Sequence, residues 1–262
     1  HCELFTGTME GYCLYRIPAL VVTQSDTVLA FCEARRYTGR DDDVIDILLR
    51  RSFDGGRTWD RRQTVISDGD RTCGNPCPLV DRETGVIMLP FCKDNQQVFL
   101  SRSDNDGQTW SEPIQISSTV LDPKWSYVAT GPGHGIQLAS GRLLVPCWCD
   151  ESPGPVTWRD PPANWGKVQS SFAIYSDDHG ETWRRGATAT RDASDECEVV
   201  EVTGGAVYMN MRSRQETHCR AFAWSQDGGE NWSPVEYDPE LPEPSCQGSI
   251  VRYDTDRILL SH

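Results

Sequence analysis

Short apolar runs alternate with polar turns along the whole chain. Residues 45–49, 97–100, 171–175 and 221–224 read as brief strands rich in Ile, Leu, Val, Phe and Ala. Similar runs cover 27–32, 85–90, 141–147 and 206–211, and no stretch shows sustained helical periodicity. Each strand of the first group leads into the same eight-residue box, S-x-D-x-G-x-T-W, at residues 52–59, 103–110, 176–183 and 225–232. Asn105 replaces the Asp of the second copy and Asn231 the Thr of the fourth. The boxes start 51, 73 and 49 residues apart, about the length of one four-stranded blade. The chemistry of the box is that of a hairpin turn. Its Asp accepts backbone hydrogen bonds, its Gly supplies a positive φ, and its Trp packs beneath as a plug. These aspartates are therefore expected to be structural. The expectation is an all-β fold built from blades of antiparallel strands.

Composition narrows the function. The net charge of −14 argues against a nucleic-acid partner, because phosphate recognition needs a basic surface. No run of about 20 apolar residues is present to form a membrane-spanning helix. The basic residues are 22 Arg against three Lys (Lys93, Lys124, Lys167). Arg offers a planar fork that matches carboxylates, so an acidic ligand is one reading and codon bias the other. The 11 cysteines lack zinc-site spacing, and the chain is long enough for an apolar core; free, mostly buried thiols are expected. Five histidines without paired spacing give no metal site. A glycosylation sequon at Asn231 falls inside the fourth box and reads as coincidental.

The boxes together with Tyr15-Arg16-Ile17-Pro18 resemble the sialidases (exo-α-neuraminidases), above all the animal cytosolic and plasma-membrane branch. The likeness continues, in family order, through Phe31-Cys32-Glu33-Ala34-Arg35, Asn75-Pro76-Cys77-Pro78-Leu79 and Gly131-Pro132-Gly133-His134-Gly135-Ile136-Gln137-Leu138. It extends to Glu196-Cys197-Glu198-Val199-Val200-Glu201, Met209-Asn210-Met211-Arg212-Ser213 and Cys246-Gln247-Gly248-Ser249.

The resemblance implies a six-bladed β-propeller, of which residues 1–262 supply the first four or so blades, with the C-terminal blades missing. It implies an exo-α-sialidase acting on sialylated glycoproteins, oligosaccharides and gangliosides, with no cofactor. A cytoplasmic or peripherally membrane-associated protein is implied first, and a lysosomal one is compatible.

The resemblance also assigns roles. Arg16 and Arg212 match two of three arginines that clamp the sugar carboxylate. Asp41 matches the general acid/base on a loop, with Asp42 and Asp43 as register alternatives. Glu196 matches the base that activates a tyrosine nucleophile, with Glu198 and Glu201 as alternatives. A tyrosine is the family's exception to the two-carboxylate rule for glycosidases. Arg35 matches an arginine at the sugar's 4-position, Asn75 an Asn at the N-acyl group, and Trp148 an aromatic beside the glycerol arm. Glu33 is expected to brace an arginine and His134 to form a turn beneath the site.

The third arginine and the tyrosine are expected beyond residue 262, since Tyr237 and Tyr253 lie outside the nucleophile's context. Two other readings are a non-catalytic sialoside-binding module, or an inactive fragment of the enzyme, and a purely structural propeller.

Overall fold

The computed structural model describes residues 3–7, 11–152, 168–189 and 194–262. Its first sheet runs β1 (Leu14–Val22), β2 (Val28–Arg35), β3 (Ile45–Ser52) and β4 (Gln63–Ile66), each paired antiparallel with the next. The second holds β5 (Cys73–Gly74) and β6 (Leu79–Val80), both paired to β7 (Ile87–Lys93), followed by β8 (Gln97–Ser103) and β9 (Ile114–Gln115). One helical turn, α1 (Ser117–Val120), links it to the third sheet; a single turn leaves no periodic stripe for the sequence to display. That sheet has β10 (Tyr127–Thr130) and β11 (Ile136–Gln137) on β12 (Leu143–Asp150), then β13 (Gln169–Ser176) and β14 (Arg184–Arg185). The fourth runs β15 (Ser194–Glu201), β16 (Val207–Ser213), β17 (Cys219–Ser225) and β18 (Glu236–Pro242). A hairpin of β19 (Ser249–Arg252) and β20 (Ile258–Ser261) follows. The architecture is all-β and of the propeller type, as the alternation of runs and boxes predicts.

The core lies between neighbouring sheets. Leu29, Phe31, Ile47 and Leu49 of the first meet Ile87, Leu89 and Phe91 of the second. Met88, Val98 and Leu100 of the second meet Val128, Val145, Phe172 and Ile174 of the third. Leu144, Ala173 and Tyr175 of the third meet Val199, Met209, Met211 and Ala223 of the fourth. Both faces of the middle sheets are thus buried. This explains why their strands read as continuous apolar runs rather than strict alternation. Ten cysteines are free among the described residues, and seven of them are buried. Burial pushes the Cys92 and Cys73 thiols up to about 12, so both stay protonated and inert.

Each box closes the hairpin between the third and fourth strands of its sheet. In the first, Asp54 Oδ1 accepts the Thr58 N–H at 2.8 Å, Oδ2 accepts the Thr58 hydroxyl at 2.7 Å, and Ser52 Oγ accepts the Gly56 N–H at 2.9 Å. The third copy repeats this with Asp178, Thr182, Ser176 and Gly180. In the second, Asn105 keeps the geometry by donating its amide to Thr109 Oγ1 at 2.8 Å. The fourth copy uses Asn231, whose side-chain amide donates to Asp227 at 2.8 Å. That amide is committed to the turn, in keeping with a coincidental sequon.

The box glycine does more than turn the chain. A Cβ on Gly107 would lie 3.3 Å from Leu49, one on Gly180 2.5 Å from Met88, and one on Gly229 2.6 Å from Leu144. Each contact reaches into the preceding sheet, so each box fastens its blade to the one before. Gly56 of the first box meets only Trp59 of its own turn. Polar contacts run the same way. Thr27 donates to Asp106, Arg102 to the Gly180 carbonyl and Glu181, and Arg142 to the Asp227 carbonyl and Glu230.

Two outcomes follow for the boxes. Asp178→Ala removes three hydrogen bonds from a half-exposed turn and is expected to cost about 1–2 kcal/mol in chemical denaturation. Asp178→Asn, which the second box tolerates, is expected to cost less than half of that. The carboxyls of Asp178 and Asp227 are held low by their turn hydrogen bonds against burial, which raises them; Asp54, held by Thr58 and Ser52, lies at about 2. A depressed carboxylate stabilises the fold above its unfolded value of about 4, and that stabilisation is lost as pH falls towards 2. The Tm should therefore drop through this window, and drop less in the variant with Asn at positions 54, 178 and 227.

Candidate active site

The direction of the strands separates the two ends of the fold. β3, β8, β13 and β17 all run towards their boxes, so the ends of β2, β7, β12 and β16 lie at the opposite side. There a cavity of about 270 Å³ is lined by Arg16, Ile17, Glu33, Arg35, Asp41, Asn75, Asn95, Tyr127, Trp148, Glu196, Arg212 and Arg214. All seven residues singled out from the sequence, Arg16, Arg35, Asp41, Asn75, Trp148, Glu196 and Arg212, are on its wall.

The innermost strand of every sheet breaks at this level. β1 has a register shift between Arg16 and Ala19, with Ile17 left-handed at φ 53°. A β-branched residue is strained there, and the bulge turns Arg16 towards the cavity. In the second sheet the gap between β5 and β6 begins with Asn75, at φ 56°. In the third, Gly131-Pro132-Gly133 separates β10 from β11, and in the fourth a shift between Ser194 and Cys197 sets out Asp195 and Glu196. Two of these breaks face a proline. The Pro90 carbonyl accepts from Cys77 N–H at 3.0 Å and that of Pro146 from Gly131 N–H at 2.7 Å. Neither proline has an N–H to return, so one rung of the inner ladder is missing at each.

Arg35 is buried beneath the cavity. Its Nε and Nη2 donate to Glu33 Oε2 at 3.0 and 2.6 Å, and its Nη1 donates to the Gly39 carbonyl at 2.7 Å and pairs with Asp41 at 2.7 Å. Glu33 braces this arginine, and its other oxygen accepts the Asn75 N–H at 2.7 Å. Burial raises the Glu33 carboxyl, opposed by Arg35.

The three consecutive aspartates part company. Asp41 faces the cavity, 3.4 Å from Arg16. Asp42, itself exposed, pairs with Arg40 at 3.1 Å. Asp43 accepts the N–H groups of Tyr37, Thr38, Gly39 and Val44; against burial, which raises it, these bonds hold its carboxyl low. Asp43 therefore shapes the loop that carries Asp41.

On the far wall Glu196 accepts from Arg212 Nη1 at 2.8 Å. Burial and then the charge of Asp195 raise its carboxyl, with Arg212 opposing. Glu198, the alternative base, is committed elsewhere. It accepts from the N–H of Ile250 at 2.6 Å and the hydroxyl of Ser249 at 3.2 Å, and lies 3.2 Å from both the N–H and Nδ1 of His134. Burial lowers the His134 imidazole pKa, but the bond to Glu198 outweighs it and the net shift is upward. The other alternative, Glu201, caps Ala139 N–H at 2.8 Å at the opposite end of β15. His134 thus sits in a turn tied beneath the site, as expected.

Four lining or supporting residues have no counterpart in the sequence reading: Asn95, Tyr127, Asp195 and Arg214. Asn95 donates to the Asp41 carbonyl at 3.1 Å and accepts from the Asn75 side chain at 3.0 Å. Tyr127 stacks on Trp148 with ring centroids 4.7 Å apart. Burial, with Asp41 adding, pushes its hydroxyl well above the usual phenol range, so it keeps its proton. Tyr237, within β18, packs against the core, and Tyr253 is exposed beyond β19. Among the described residues no cluster of three or more His, Cys, Asp or Glu side chains could hold a metal ion.

Comparison with known proteins follows the same lines. A family model described as a BNR repeat-like domain matches residues 26–262. Human Sialidase-3 is 35% identical over 267 residues, covering 91% of this chain and 61% of that protein. A sialidase of Micromonospora viridifaciens is 34% identical over 278 residues, covering 95% of this chain and 40% of that protein. Among solved structures, a Hadza microbial sialidase superposes with a TM-score of 0.80 at 30% identity, over 92% of this chain and 50% of that one. The chain spans about three fifths or less of these relatives' lengths.

The pair beneath the cavity can be tested directly. Glu33→Ala leaves the buried Arg35 charge without its main partner and is expected to cost about 3–5 kcal/mol in thermal or chemical unfolding. Glu33→Gln, which keeps one acceptor for the guanidinium, is expected to cost clearly less.

Proposed function

Given that the chain belongs to the BNR repeat-like domain family, we propose that the protein is an exo-α-sialidase releasing terminal sialic acid from glycoproteins, oligosaccharides and gangliosides. One observation carries the reading: two arginines and two carboxylates from the first and fourth sheets, Arg16, Asp41, Glu196 and Arg212, share one cavity. A sialic acid bears its carboxylate on the anomeric carbon, so fixed guanidinium groups beside an acid and a base suit this bond and few others. A six-bladed ring, with the residues here as its first four blades and the start of a fifth, goes with this reading. Ganglioside substrates call for peripheral contact with a membrane surface.

In this mechanism Arg16 and Arg212 hold the substrate carboxylate. Asp41, on its loop, protonates the leaving oxygen and then activates water. Glu196 takes the proton of a tyrosine nucleophile contributed by the whole protein. A carboxylate raised by burial and by Asp195 is a better proton acceptor than an ordinary glutamate. The substrate carboxylate also competes with Glu196 for Arg212, which frees Glu196 as the site fills. Arg35 and Asn75 serve the 4-position and the N-acyl group, and Trp148 the glycerol arm. Arg35 can reach the sugar only by its edge, since Glu33, Gly39 and Asp41 already occupy it. The chemistry calls for no cofactor.

A second reading is a sialoside-binding module without turnover. It is favoured by one observation, that Tyr127 lines the cavity with its proton firmly held.

Release of sialic acid from 3′-sialyllactose by the full-length protein tests the two; binding without release selects the second. Asp41→Asn is expected to lower turnover at least about a hundredfold while leaving sialic acid affinity nearly unchanged. An equal loss of both overturns the acid/base role. Arg16→Ala is expected to act the other way and weaken binding of the acid by about tenfold or more.

A further inference from the structure

Asp195 is fully buried, yet it carries three contacts at the edge of the cavity. Its Oδ1 accepts the N–H of Glu196 at 2.8 Å and lies 3.7 Å from Arg212 Nε. Its Oδ2 accepts from Arg214 Nε at 2.7 Å. The bulge between Ser194 and Cys197 makes this arrangement, and the Ser171 hydroxyl pins it by donating to the Asp195 carbonyl at 2.7 Å. One carboxylate therefore sits between two guanidinium groups that otherwise repel each other.

Arg212 and Arg214 are two residues apart, so they project from the same side of the chain, roughly 7 Å apart along it. Arg212 spends Nη1 on Glu196. Arg214 is held through Nε alone, and its outer nitrogens take no hydrogen-bond partner among the described residues. Its side chain is 30% exposed and lines the cavity. A guanidinium anchored by its inner nitrogen presents its outer edge as a pre-oriented fork for an anion. A flexible lysine could not be held in this way.

We propose that Arg214 is a further guanidinium for the substrate's carboxylate, and that Asp195 is the positioning residue that holds Arg214 and Arg212 in place for it. The inference rests on the sialidase reading of the same cavity. It adds a second donor from the fourth sheet and gives the buried carboxylate a function beyond packing.

The test is titration of the full-length protein with N-acetylneuraminic acid and with its methyl ester, which keeps every hydroxyl but lacks the charge. The wild type is expected to prefer the acid. Arg214→Ala is expected to lower the affinity for the acid about tenfold and to change that for the ester by less than about twofold. Arg214→Lys should recover part of the preference, because a point charge remains without the fork. Asp195→Asn should lose the preference in the same sense; if that variant fails to fold, Arg214→Ala carries the test alone. A wild type that prefers the acid while Arg214→Ala keeps the same acid-to-ester ratio overturns the inference and leaves the sialidase reading standing. Equal losses for acid and ester also overturn it. A wild type that binds neither ligand defeats the sialidase reading, and this inference with it.

Discussion

The structure depends on one close approach, repeated three times: a box glycine set into the sheet before it. Gly107, Gly180 and Gly229 combine a positive φ, which side-chain-bearing residues rarely adopt, with close contact to the preceding sheet. A Cβ at Gly180 or Gly229 would force Met88 or Leu144 to shift, and one at Gly107 would press on Leu49. Flush contact at this end lets the apolar faces of neighbouring sheets meet, and that burial, at about 25 cal/mol per Å², is the main favourable contribution to folding. The Asp, Ser and Thr of each box serve this end, since they hold the turn in the shape that delivers the glycine.

Sheets fastened face to face at one end bring their inner strands together at the other, and there the strands break. Ile17, Asn75, the Gly131 to Gly133 segment and the Asp195–Glu196 bulge all stand at this level. A regular strand would point alternate side chains into the neighbouring sheets. A broken one can aim Arg16 and Glu196 along the cavity wall instead. Ile17 is strained in its conformation, at the bulge where β1 loses register with β2. The charged lining is then held by pairing within itself. Glu33 answers Arg35, Glu196 answers Arg212, and Asp195 answers Arg214. Few of these groups are left to choose their own direction.

The two middle strands of each four-stranded blade and the boxes were legible because they repeat, and because apolar runs ending in the same turn admit few folds. The inner strands were not. β5, β6 and β11 are two residues long, too short for any alternation to register. Pro90 and Pro146 were the available signal, as prolines inside otherwise strand-like runs, and they mark where the neighbouring strand departs. Family resemblance pointed to Arg16, Asp41, Glu196 and Arg212, with Asp42 and Asp43 as register alternatives. The three aspartates have different partners: a cavity for one, Arg40 for the next and four loop amides for the third. Asn95, Tyr127, Asp195 and Arg214 had no motif to announce them. Asn95 is tied to the cavity by pairing with Asp41, far away in the chain, while Tyr127 and the Asp195–Arg214 pair are placed by neighbouring strands.

The boxes bind each blade only to its predecessor, which makes the fold close to a one-dimensional array. In such an array energy is shared between nearest neighbours, and damage to one unit stays local. The cavity obeys the opposite rule, because it draws residues from the first sheet, the second, the third and the fourth. A displacement that the fold absorbs within one blade is registered in full by the cavity. Tolerance of sequence change should therefore differ between the two ends of the same strands: forgiving where blades are stapled in pairs, strict where all of them converge.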